Sequence, residues 1–292
     1  MKIFTRIALI IAGVFAGIGV VCLLIASSLG LTRDTFMQMV NDGKFRISIG
    51  DDNDIEFFGL LDGMEIKIFD DDDYIYNTEV KEESTVEVEE KYTKLDLEYG
   101  AGKLDIYYED VEYIQVHQKN VVGFRTYGDE DTLHIEGGIG IDDSNGATLT
   151  IILPQKYFFE EADLEIGAAQ ANIEGLTGGE IKITVGAGEA NVEEVIAKSF
   201  DLEVGAGEAN VMGSLVDELD VEVGVGQATV GISGAEQDYN YNVECGIGSV
   251  KVGNNSYGGL GAEQKVTHPG ADGVIDIDCG IGEVIVTFVE GL

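Results

Sequence analysis

Apolar and charged residues alternate in short runs along most of this chain, and in the middle the alternation becomes periodic. The segments LEIGAAQANI (164–173), ITVGAGEANV (183–192), LEVGAGEANV (202–211) and VEVGVGQATV (221–230) repeat almost verbatim. Their opening glycines, Gly167, Gly186, Gly205 and Gly224, recur every 19 residues. Inside each unit an apolar–charged–apolar triplet such as Leu202-Glu203-Val204 leads into a corner, Gly205-Ala206-Gly207, after which Ala209-Asn210-Val211 alternates again. Alternation with period two marks a strand with one buried face, and a longer fixed period marks one structural unit stacked on copies of itself. The pattern therefore predicts an all-β chain: a β-solenoid or β-helix-like stack of about 19 residues per coil. The same grammar occurs earlier as LDLEYGAGKLDI (95–106) and later as NVECGIGSVKV (242–252) and DIDCGIGEVIV (276–286), at the wider spacings of 22 and 34 residues. Glycine suits the corners because a Cβ there would meet either a positive φ or the neighbouring coil.

One segment breaks the β pattern. Residues 7–29 carry no charge, and as a helix they would reach roughly 34 Å, enough to cross a hydrocarbon core of about 30 Å. Lys2 and Arg6 precede this run and Arg33 is followed at once by Asp34, so the positive-inside bias puts the N-terminus in the cytoplasm and the rest outside. The expected organisation is a cytoplasmic N-terminus (1–6), a transmembrane signal anchor (7–31), an acidic juxtamembrane stalk or degenerate first coils (32–90) and the β-solenoid (91–292). A cleaved signal peptide is the alternative for the apolar run, but its length exceeds the usual 7 to 15 residue core. Gly13 and Gly17 form a GxxxG of the kind that lets two membrane helices approach, a weak hint of a dimer.

Charge narrows the partners. The formal net charge is −38, and every acidic residue lies at or beyond Asp34, so the expected exterior repels nucleic acid. Stacking coils in register would place Glu203, Glu222 and Glu244 in one outward column, Glu189 and Glu208 in a second, and Asn172, Asn191 and Asn210 in a third. Like charges about 5 Å apart oppose folding, so loosely bound calcium on the glutamate columns is weighed against salt screening and raised carboxyl pKa values. No other cofactor is expected. Cys245 and Cys279 each precede a GIG corner, where other coils carry inward valines. Packing as small hydrophobes is the expected state, and a disulfide between adjacent coils is the alternative.

Signs of catalysis are sparse. His117, His134 and His268 sit in unlike contexts, no nucleophile elbow is present, and acidic pairs are too common for any one to point to glycoside chemistry. A calcium-dependent polysaccharide-active β-helix enzyme would want basic residues beside its metal, yet Lys182 and Lys198 stand alone in an acidic field. Trp is absent as a sugar platform, leaving Tyr239, Tyr241 and Tyr257 as substitutes.

The stretch ATLTIILPQKYFFEEADLEIGAAQANIEG (147–175), with Leu153-Pro154 ending a β run before the first clear coil, and the paired CGIG motifs at Cys245 and Cys279 carry a family likeness. Over 91–292 the chain resembles the bacterial domain-of-unknown-function family labelled putative adhesin, most closely its membrane-anchored Gram-positive members, which include LiaG-type accessory proteins of cell-envelope stress operons. The resemblance implies a β-solenoid fold, a cell-surface or envelope location, and no established activity or catalytic residues. The expected function is a non-enzymatic, adhesin-like interaction protein, with an envelope polymer or a membrane protein as its partner. The alternatives are an accessory role in envelope-stress signalling and the β-helix enzyme.

Overall fold

The computed structural model describes residues 46–49, 55–58, 74–77, 83–89, 91–138, 146–258 and 261–289. The expected membrane helix at 7–31, with Gly13 and Gly17, lies outside them. Among the described residues no helix is long and apolar enough to cross a membrane. The chain divides into two units, Met1–Ile66 and Lys67–Leu292. In the first, β1 (Arg46–Ile49) and β2 (Ile55–Phe58) form an antiparallel hairpin.

The second unit is all-β, and its centre is the 19-residue repeat made physical. Strands β10 (Phe158–Val185), β11 (Glu189–Val204) and β12 (Glu208–Val223) stack in parallel, so that Val185 faces Val204 and Val204 faces Val223. Each coil has two faces. One runs into the glycine corner, as in 199–204, and the other leaves it, as in 208–211. Every second side chain points inward: Ile183, Leu202 and Val221 are register partners with no exposed surface. Removing one such side chain from a close-packed interior costs about 2–5 kcal/mol.

Spatial order departs from sequence order at both ends of the stack. Beyond β12 the next strand on its first face is β18 (Gly273–Cys279), and only after it comes β14 (Tyr239–Cys245), also parallel. On the second face β13 (Gln227–Ser233) is followed by β19 (Glu283–Val289) and then β15 (Ser249–Val252). The coil made later is thus inserted between two made earlier. At the other end β5 (Lys94–Glu109) lies between β10 and a coil formed by β8 (Thr132–Gly137) and β9 (Thr148–Pro154).

Antiparallel strands close the stack. β17 (Ala262–Val266) and β16 (Asn255–Gly258) cover β14 and β15. At the opposite end β7 (Arg125–Asp129) pairs with β8, and β6 (Ile114–Lys119) with β9. β4 (Glu83–Val88) and β3 (Tyr74–Asn77) then pair with β6 and β7. Within 32–90, the expected acidic stalk or degenerate first coils, β4 buries Val86 and Val88 in the same core as the coils. The alternation in STVEVEE is the local reason.

The corner glycines answer the choice left open by the sequence. Gly186, Gly188, Gly205, Gly207, Gly224 and Gly226 are not among the residues with positive φ. Close approach requires them instead: a Cβ on Gly188 would lie 2.1 Å from the carbonyl oxygen of Ala169 in the preceding coil.

Candidate functional site

The first face carries two outward acidic columns. In one, Glu136, Glu98 and Glu165 are successive register partners across β8, β5 and β10. Further along, Thr184, Glu203, Glu222, Asp278, Glu244 and Glu263 follow one another across β10, β11, β12, β18, β14 and β17. Glu203 and Glu222 are neighbours as the repeat implies, but Asp278 stands between Glu222 and Glu244 because β18 is inserted there. The column beside it contains Lys182, Asp201, Asp220, Asp276, Asn242 and Lys265. Where this face meets β17, a hollow of about 560 Å³ is lined by Asp220, Glu222, Asp276, Asp278, Glu244 and Lys265 among others.

Crowding these carboxylates on a half-buried surface changes their chemistry. Burial, then Asp220, Glu203 and Asp278, pushes Glu222 up to about 7. Burial, then Glu136, Glu165 and Asp96, does the same for Glu98. Asp220 and Asp163 rise to about 6, chiefly through burial. Lys182 relieves some of the load: its Nζ lies 2.8 Å from Glu203 and 3.9 Å from Asp201, and the bond to Glu203 raises its own pKa.

The second face is built differently. Glu189 and Glu208 are register partners, flanked by Gln170 and Gln227, with Glu283 beyond. Asn172, Asn191 and Asn210 stack beside them. Asn210 donates to Asn191 at 3.2 Å and Asn172 donates to Asp105 at 3.1 Å. Asn191 and Asn210 also donate to Glu189 and Glu208 at 3.1 and 3.3 Å, so the amides form a partial ladder that holds the glutamates in place.

Among the described residues no group of three or more His, Cys, Asp or Glu side chains is placed to hold a metal ion. His134 bonds Asp96 at 2.8 Å and stacks on Tyr127, His117 meets Thr85, and His268 bonds the Tyr239 carbonyl, so the three histidines serve separate places. Tyr239 and Tyr241 are buried and Tyr241 bonds Glu236 and Tyr257, which removes both as sugar platforms.

Cys245 and Cys279 are register partners on β14 and β18, both buried and both free thiols. Burial, with the other sulfur beside it, raises the Cys279 pKa. Iodoacetamide is therefore expected to label neither residue in the native protein at neutral pH within minutes, and both after denaturation without reductant. A mass two protons low, with no label at either position, would show a disulfide instead.

The sequence reading passed over one surface. Between the two faces the corner residues stack as Ala187, Ala206, Val225, Ile281 and Ile247. The order is fixed by hydrogen bonds from Ala206 N to Gly186 O, Val225 N to Gly205 O, Ile281 N to Gly224 O and Ile247 N to Gly280 O, at 2.7 to 2.8 Å. The change from GAG to GVG to GIG at these corners was the available signal. Beside them runs an open groove of about 790 Å³, floored by Gly188, Gly207, Gly226 and Gly282.

Register-stacked parallel coils with extended outward ladders define a solenoid-like β domain. Residues 191–253 match the family model described as the N-terminal domain of toast_rack, a domain of unknown function. Solved structures with similarity include a putative cell adhesion protein from Clostridium sporogenes, 16% identical, covering 71% of this chain and 99% of that one with a TM-score of 0.41. A putative adhesin from Bacteroides fragilis is 12% identical over 71% and 98% of the two chains, with a TM-score of 0.29. A putative lipid binding protein from Parabacteroides distasonis is 15% identical over 70% and 96%, with a TM-score of 0.31. No curated protein matches.

Proposed function

We propose that this chain is a membrane-anchored, extracytoplasmic β-solenoid acting without catalysis in cell-envelope or surface interactions, held to the bilayer by 7–31. The observation that carries the reading is the outward architecture. Two faces of in-register side chains run the length of the coils, and polar groups are spread along them. A surface of this kind suits contact with an extended or multivalent partner, since each coil adds the same contact again. The family match over 191–253 agrees with it.

Two measurements test the proposal. Protease added to intact spheroplasts should digest the β domain, and complete protection would reverse the topology. Purified full-length chain in nanodiscs should sediment with cell-wall sacculi or cross-link to a membrane protein in cells, without turning over envelope polysaccharides. Release of soluble sugar fragments from the sacculi would overturn the non-enzymatic reading.

A further inference from the structure

Val225, Ile281 and Ile247 are 62%, 60% and 65% exposed, and they occupy the same corner position on three consecutive coils. At about 4.8 Å per coil they form a ridge about 10 Å long. The corner itself does not need them, since Ala187 and Ala206 hold the equivalent place with the same backbone bonds. More than half of each side chain still faces solvent, and contiguous exposed apolar surface commonly marks a binding site.

Acidic residues flank the ridge on both sides. On the groove side Gln227 and Ser249 stand level with Val225 and Ile247, while Glu283 stands level with Ile281 and Glu208 and Glu189 follow on the two preceding coils. The bonds to these three glutamates come from neutral groups, Asn191, Gln170, Asn210 and Ser249, which leave the negative charge uncancelled. On the other side runs the column containing Glu222, whose register partners are Glu203 and Asp278.

We propose that the ridge and groove dock a basic amphipathic helix of a partner protein, its apolar stripe on Val225, Ile281 and Ile247 and its Lys or Arg rows on the two acidic columns. Charge complementarity selects this occupant. A second copy of the chain would bring the same acidic rows face to face, and nucleic acid or an anionic lipid surface would be repelled. Spacing favours a helix lying along the stack, because its pitch of about 5.4 Å is nearer the coil spacing of about 4.8 Å than the roughly 6.6 Å between same-face residues of an extended chain. Helix-in-groove recognition of this form relies on apolar anchors at helical spacing with charges setting orientation.

The test uses the full chain in zwitterionic nanodiscs and a fluorescently labelled helix of Leu and Lys about 18 residues long, with its leucines in one stripe. Anisotropy should show saturable binding above that of empty discs. The triple variant Val225→Ser/Ile281→Ser/Ile247→Ser and the double variant Glu208→Gln/Glu283→Gln should each weaken it at least tenfold, with thermal midpoints unchanged. The inference is overturned if the wild type does not bind, if a scrambled peptide of equal composition binds as well, or if the triple variant binds like the wild type. Dimerisation that depends on the ridge would assign it to a second copy and also overturn the inference. The proposal rests on reading the domain as an interaction scaffold, and the two fail separately: sacculus binding or cross-linking that survives without peptide binding sinks only the helix.

Discussion

Lowering the pH from 8 to 5.5 should stabilise this protein, raising its thermal midpoint by about 10 °C. The cause is the set of carboxyls whose native pKa values lie above those of the unfolded chain: Glu98 and Glu222 at about 7, Asp163 and Asp220 at about 6. A raised carboxyl pKa means that the native state holds protons that the unfolded state has released, so stability falls as pH rises through about 4 to 7 and returns as pH is lowered. His134 acts in the same direction. Burial opposes its charge, but Asp96 overrides that and raises its pKa, so its contribution is present at low pH and lost as pH rises. Because the four carboxyls are only about half-buried, solvent screening cuts their combined effect to about 3 kcal/mol. For a domain of this size that is about 10 °C. Glu98→Gln/Glu222→Gln should flatten the profile and raise the midpoint at pH 8. A midpoint that stays level or falls between pH 8 and 5.5 would show that the ladders do not carry this strain.

Gly226→Ala should cost about 3 kcal/mol, a large effect for one methyl group. Its Cβ would lie 2.2 Å from the carbonyl oxygen of Gly207 and 2.8 Å from Val204 Cγ1. That oxygen accepts the amide of Gln227 at 3.0 Å, so the added atom would push adjacent coils apart at a ladder bond. The adjacent Val225→Ala is the internal control. Val225 is exposed, and its truncation should shift stability by less than about 0.5 kcal/mol. Urea melts compare the two variants, and a Gly226→Ala midpoint close to that of Val225→Ala would mean that the coils approach less closely than described.

The coil itself was legible because the spacing of Gly167, Gly186, Gly205 and Gly224 is a property of the sequence and a property of the ladder at once. The inward alternation gave Val185, Val204 and Val223 their places for the same reason. Coil order was not legible. Gly224, Gly246 and Gly280 lie in one corner column, yet the chain reaches the Gly246 coil first and returns to fill the gap. A cysteine-led GIG corner fits against the Gly224 corner equally well from either segment, so nothing local distinguishes them. The acidic columns were visible as residues, but Asp278 between Glu222 and Glu244 depended on that insertion. The alternation around Val86 and Val88 was present in the sequence as well, masked by its acidic setting.

The insertion also sets the timing of assembly. While β14 and β15 are being made, the strands that will separate them from β12 and β13 do not yet exist, so an emerging chain has an open slot in its wall. Glu244, Cys245 and Gly246 can rest there against Glu222, Val223 and Gly224, a stacking that repeats the ordinary 19-residue contact. Gly273–Cys279 and Glu283–Val289 must then displace that contact or find the slot unfilled.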